Sequence, residues 1–204
     1  MDAPVRLGLI LVAGLVALAG CGTGDGSPST AGAPISPLPQ SATGAPASAE
    51  YNDADVMFLQ MMIAHNAQGV EIVKLVHAKQ AQQPQLKDLA AAIEATQQTE
   101  TTDMRNWLKS WGKPETGSMD PHAHHHHGGD GLTDKGLLDA LSKKDGKEFT
   151  LDFADIFVAH QHNGVALART ELKDGKNPES KALAQRIMDS RTGEVQQIRT
   201  LVPG

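Results

Sequence analysis

The sequence contains a single cysteine in 204 residues, which excludes an internal disulfide and any thiolate-rich metal cluster. Aromatic residues amount to only 3%, so Ala, Leu, Val, Ile and Met must fill the core, a composition that suits a helical bundle better than a sheet sandwich. Basic residues are outnumbered by acidic ones, 18 against 24, for a formal net charge of −6. Phosphate contacts need basic surface, and nucleic acid is therefore excluded as the main partner. A nucleophile triad, a Gly-rich phosphate loop and a dinucleotide fingerprint are also missing, which favours a binding protein over an enzyme.

The apolar run from Leu7 to Ala19 is too short to span a membrane and has the proportions of a secretory h-region behind the basic Arg6. It ends Leu18-Ala19-Gly20-Cys21, which resembles the lipobox of bacterial lipoproteins. That resemblance implies removal of residues 1–20 and a lipid on Cys21, placing the chain on the extracytoplasmic face of the cell membrane. A plain signal peptide with an incidental cysteine is the alternative. Residues 22–49 are Gly, Ser, Thr, Ala and Pro with little apolar content. They cannot offset the entropy of ordering and read as a disordered tether with a reach on the order of 30 Å.

The remainder, about residues 50–202, is one unit written twice. With His65 laid on His160, Phe58 falls on Phe153, Met62 on Phe157 and Gly69-Val70 on Gly164-Val165. Downstream, Gln83-Pro84, Leu89-Ala90, Ile93 and Glu100 match Asn177-Pro178, Leu183-Ala184, Ile187 and Glu194. Such an offset, near ninety-five residues, marks a repeat of whole supersecondary units. Each unit is helix, Pro-containing turn, helix.

Apolar residues at spacings of three and four predict helix one from Asn52 or Asp53 to about Lys79 and helix two over about Gln85 to Trp111, stopped by Gly112 and Pro114. Helix three covers about Asp145 to Leu172 and helix four about Pro178 to Leu201, with a short helix around Leu132 to Leu141. Four long helices in two hairpins with one long connection describe an all-α four-helix bundle. The connection, about 112–131, carries Met119-Asp-Pro-His122-Ala-His124-His125-His126-His127.

The doubled pattern resembles the domain-of-unknown-function 305 family. The resemblance rests on Asp55, Phe58, Leu59, Met62, Ile63, His65, Leu89, Ala90, Ile93, Gln97, Glu100, Met104, Trp107, Leu108, Trp111 and Gly112 in the first copy. In the second it rests on Phe153, His160, Gly164, Leu183, Ala184, Ile187 and Glu194. It implies a ferritin-like bundle, and in some members copper handling. Asn66 and Gln161 stand where the family pattern has a second His, Ile72 and Leu167 where it has a Met, and Thr150 where it has Asp.

Two candidate sites follow. His65, His160, Glu100 and Glu194 lie on apolar stripes, one on each long helix, and buried ionisable groups require partners. One reading is a metal held at the bundle centre by these four, with Met62 and Met104 nearby. The other, favoured because no Glu-x-x-His motif is present, is two buried His–Glu pairs that fix register. Asp103 and Asp152 fall off the stripes and are expected in solvent, with His77 and His162 peripheral. The second site is the tract His122, His124, His125, His126 and His127, whose neutral imidazoles suit copper or another divalent transition metal. The functional expectation is a lipid-anchored, extracytoplasmic protein that buffers or sequesters copper or a similar ion. A metal-free envelope scaffold and a ferritin-like redox enzyme are the alternatives. Besides the metal and the membrane, no partner is indicated.

Overall fold

The computed structural model describes residues 48–79, 83–116 and 131–202. Cys21, the tether up to residue 47 and the histidine tract lie outside the described residues. Among the described residues five helices follow one another: α1 (Asp53–Ala78), α2 (Pro84–Ser110), α3 (Lys135–Ser142), α4 (Gly146–Asp174) and α5 (Pro178–Leu201). The observed ends fall within about three residues of those read from spacing.

Local chemistry explains most of these ends. Asn52 accepts from the Asp55 amide while Asp55 accepts from the Asn52 amide, a reciprocal cap that fixes the start of α1. Pro84 and Pro178 occupy the first turns of α2 and α5, where a missing N–H costs nothing. Beyond α2, Gly112 takes φ +65°. There the Gly112 and Lys113 amides donate back to Lys109 and Leu108 carbonyls at 3.1 and 2.8 Å, the glycine-dependent stop expected of that sequence.

The helices pair as two antiparallel hairpins, α1 with α2 and α4 with α5. Helix α1 also runs antiparallel along α4: Asn52 bonds the Asp174 carbonyl at one end and Lys79 meets Asp145 at the other. Two apolar clusters fill the interior. One gathers Ile72, Val76, Leu89, Phe149, Phe153 and Ile198; the other gathers Phe58, Met62, Met104, Trp107, Leu183 and Ile187. Between them, at the same height on all four long helices, lies a polar waist of His65, Asn66, Gln97, Glu100, His160, Gln161, Arg191 and Glu194. None of these eight is more than 2% exposed.

Asp55 adds a long-range tie. Its carboxylate accepts from the backbone amides of Lys176 and Asn177 at 2.9–3.1 Å, pinning the α4–α5 turn to the start of α1. Burial works to raise its pKa, and hydrogen bonds from Glu171 and from the Asn52, Asn177 and Lys176 amides outweigh this and hold it low. The buried Glu171 beside it is pushed up to about 8 by burial and then by Asp55.

Candidate metal centre

At the waist, His65 and His160 stack face to face, ring centroids 3.8 Å apart and 11° from parallel. Gly164 makes the approach possible: a Cβ there would lie 2.9 Å from His65 Cε1. His65 Nε2 donates to the His160 backbone carbonyl at 3.0 Å, which leaves Nδ1 as the bare nitrogen. The Nδ1 of His160 meets the Thr133 hydroxyl at 3.2 Å. Among the described residues, His65 Nδ1 and His160 Nε2 are buried without a partner. Burial drives the His65 pKa down to about 4 against the bond to His160, with the Arg191 charge lowering it further. Burial, then His65, then Arg191 take His160 down to about 2. Both imidazoles are neutral at physiological pH.

The glutamates have a different partner. Arg191, with no exposed surface, donates from Nη2 to Glu100 at 2.6 Å and from Nη1 to Glu194 at 3.1 Å. Its Nη2 also reaches the Asn66 side-chain oxygen at 3.2 Å. Asn66 Nδ2 in turn donates to Glu100 at 2.9 Å, and Gln161 Nε2 donates to Glu194. Burial pushes Glu194 up to about 7 against the guanidinium and Gln161, with Glu100 adding to the rise. Burial alone would lower the Arg191 pKa, and the two carboxylates overcome it. One guanidinium thus occupies the space between the two carboxylates that a central cation would need.

All four stripe residues therefore lie inside the bundle, but the expected His–Glu pairs do not form: the histidines face each other and the glutamates face Arg191. Met62 and Met104 are wholly buried within one apolar cluster and belong to its packing. Asp103, expected in solvent, is only 7% exposed; burial raises its pKa and the Arg186 charge opposes the rise. Its position on α2 faces α5, a neighbour that a single-helix stripe does not include. Asp152 bonds Lys144 at the surface, and His77 and His162 are exposed as expected. Among the described residues, no group of three or more His, Cys, Asp or Glu could hold a metal ion. The bare imidazole nitrogens are suitable donors, yet the fixed positive charge of Arg191 opposes a metal cation beside them.

Arg191 falls on the buried stripe of α5, and spacing alone assigns it no partner. A cation on an otherwise apolar stripe, one turn before Glu194, was the available signal. The connection that carries the histidine tract is fastened at both sides: the Pro114 carbonyl accepts from Gln60 Nε2 at 2.8 Å, and Gly131 lies against Leu167. Thr133 then exchanges two hydrogen bonds with Gln68.

Comparison with known proteins decides the family. The model of the domain of unknown function DUF305 matches residues 55–202, well over half of the sequence. The chain belongs to the DUF305 family. No curated protein sequence matches it. Among solved structures, a DUF305 protein from Streptomyces coelicolor, described as a candidate secreted protein, is 25% identical with a TM-score of 0.67, over 72% of this chain and 91% of that one. A DUF305 fragment from Deinococcus radiodurans is 23% identical with a TM-score of 0.64, over 78% and 98%. CopM in its Cu(II)-bound form is 25% identical with a TM-score of 0.59, over 72% and 95%. The all-α bundle is thus the DUF305 fold. Among the described residues no helix is long and apolar enough to cross a membrane.

Proposed function

We propose that this DUF305 protein binds copper or a similar transition metal outside the cytoplasmic membrane, anchored by lipid on Cys21, and that divalent metal sits on the histidine tract and not at the polar waist of the bundle. The observation that carries this reading is Arg191: with a guanidinium already on Glu100 and Glu194, the waist offers a metal no free carboxylate pair. The tract offers five imidazoles within six residues, His122 and His124 to His127, in a connection fastened to the bundle at both sides. Similarity to CopM, a protein solved with Cu(II) bound, supports metal as the ligand class. The lipobox-like Leu18-Ala19-Gly20-Cys21 supports the anchor. Buffering or sequestration fits better than turnover, because a run of imidazoles close in sequence supplies ligands without carboxylates, and Arg191 leaves no carboxylate pair at the waist for a dinuclear redox centre.

Imidazole must be neutral to ligate, and with an ordinary pKa near 6.5 the tract should hold Cu(II) or Ni(II) at about pH 7.5 and release most of it near pH 5. Titration of the purified chain, with and without Ala at His122 and His124 to His127, tests this. The Ala variant is expected to lose most capacity while the melting temperature of the metal-free protein stays unchanged. Full stoichiometry in that variant would remove the tract from the account and favour the metal-free scaffold or another seat.

A further inference from the structure

The α1–α4 seam has two halves on either side of the stacked histidines, and they are finished differently. Over one half lies the chain from Thr133 into α3: Gln68 and Thr133 bond each other at 2.6 and 2.9 Å, Leu141 is buried against Phe149 and Phe153, and Lys79 reaches the Ser142 carbonyl at 2.9 Å. Along the other half the described residues leave a cavity of about 90 Å³ between Met57 and Met61 of α1 and Asn163, Leu167 and Thr170 of α4, with Gly131 at its edge. At the ninety-five-residue offset, Met57 and Met61 correspond to Asp152 and Ile156. The two thioethers at the opening are therefore a feature of the first hairpin alone.

We propose that Met57 and Met61 form a site for a soft monovalent cation of the Cu(I) class, with the Asn163 side-chain oxygen across the seam as a further donor. This rests on the reading of the protein as a metal binder and adds a second, chemically distinct seat to it. Residues four apart on a helix lie one above the other on one face, so the two sulfurs can converge on a single ion. Both residues are half-buried and Asn163 is exposed, whereas the neighbouring Met62 is wholly buried among apolar side chains. An ordinary core methionine is walled in, as Met62 and Met104 are; these two line an opening. Neutral, polarisable sulfur selects Cu(I) over hard divalent ions, which require charged oxygen donors. The histidine tract, with imidazole nitrogens only, favours Cu(II) or Ni(II). The two seats would then divide the oxidation states between them.

The test uses the full chain with methyl-labelled methionine and Ag(I) as a redox-inert probe. The first equivalent of Ag(I) is expected to shift the methyl signals of Met57 and Met61, assigned by single Leu variants, and to leave those of Met62 and Met104 in place. The double variant Met57→Leu/Met61→Leu should bind one Ag(I) fewer, keep its helical circular dichroism and take up Ni(II) undiminished. Unchanged Ag(I) stoichiometry in that variant, or Ag(I) shifts that spare Met57 and Met61, would overturn the site. Neither result touches the tract, whose own failure is read from Ni(II) uptake by the wild-type chain.

Discussion

The α1–α2 and α4–α5 hairpins bring nearly matching side chains to the waist. Asn66 bonds Glu100 in the first, and Gln161 bonds Glu194 in the second. They part at the residue three before each glutamate. In the first hairpin Gln97 lies against Gly69, where a Cβ would sit 2.3 Å from its side-chain oxygen, and neither side-chain amide atom has a partner among the described residues. In the second hairpin Arg191 fills the corresponding position and bridges both carboxylates. The difference teaches that charge balance at the waist comes from one hairpin only. Two glutamines would have left a pair of carboxylates in need of a cation, and one arginine supplies it from the chain itself.

Removing the arginine should have the largest effect. Arg191→Met strands buried carboxylates, and losing one partner of a buried ion pair costs about 3–5 kcal/mol, measurable by urea denaturation. Adding Glu100→Gln and Glu194→Gln should recover most of that loss. A triple variant no more stable than the single one would show that packing and not charge is at stake. The next substitution, Arg191→Gln, makes the second hairpin repeat the first. In a background lacking the tract histidines, Zn(II) should then stabilise the protein, by about 2.7 kcal/mol at a hundredfold excess over Kd, and should leave the Arg191 parent unmoved. Equal stabilisation of both proteins would refute the idea that the guanidinium closes the interior.

The pH profile separates the histidines from the carboxyls. Folded His65 and His160 titrate near 4 and 2, below their ordinary 6.5. The unfolded chain therefore takes up these protons first as pH falls, and the stability they contribute is whole above pH 6.5 and declines below it. Folded Glu194 and Glu171 titrate near 7 and 8, above their ordinary 4.5. Their contribution is whole below pH 4.5 and is lost as pH rises through those values. Between pH 4.5 and 6.5 the unfolded chain holds two protons on the histidines and the folded chain two on the glutamates, so stability is expected to be flat. From pH 6.5 to 8 it should fall, at no more than about 1.4 kcal/mol per pH unit for each proton, and Glu171→Gln should lessen that fall. Denaturation curves in which stability climbs steadily to pH 8 would contradict these assignments. A smaller effect is expected at Gly164, where Ala would force a methyl to 2.9 Å from the His65 ring; overpacking of this kind costs about 1–3 kcal/mol. Gly193→Ala, with nothing within 4 Å of the added carbon, should instead stabilise α5 by about 0.5–1 kcal/mol. Equal effects at the two glycines would dissolve the argument for close approach at the histidine stack.

Much of this bundle was legible before its coordinates. The stripes with spacing three and four placed Phe58, Met62, His65, Leu89, Ile93, Phe153, His160 and Ile187 inside, and Gly112 stopped α2 as its sequence foretold. What a stripe cannot encode is which charged residue on one helix meets which on another. Arg191 and Glu100 are far apart in sequence and join only through tertiary packing, so their ion pair was invisible. The same blindness explains Asp103, off its own helix's stripe but covered by a neighbouring helix, and Asp55, marked by the family pattern and found pinning the turn at Lys176 and Asn177. The histidine stack was hidden for another reason. Two buried imidazoles each suggested a carboxylate partner, and only the glycine at 164 lets the rings meet instead.

Locating bound Cu(II) tests whether the divalent ion sits on the connection while Arg191 closes the waist. Substoichiometric Cu(II) added to the nitrogen-15-labelled chain broadens the amide signals nearest the ion. Broadening is expected to centre on the two sides of the connection, at Thr116 and Gly131, with the amides of Glu100, Arg191 and Glu194 still sharp. Broadening centred on those three, with Thr116 and Gly131 unaffected, would place the metal in the waist and contradict that expectation.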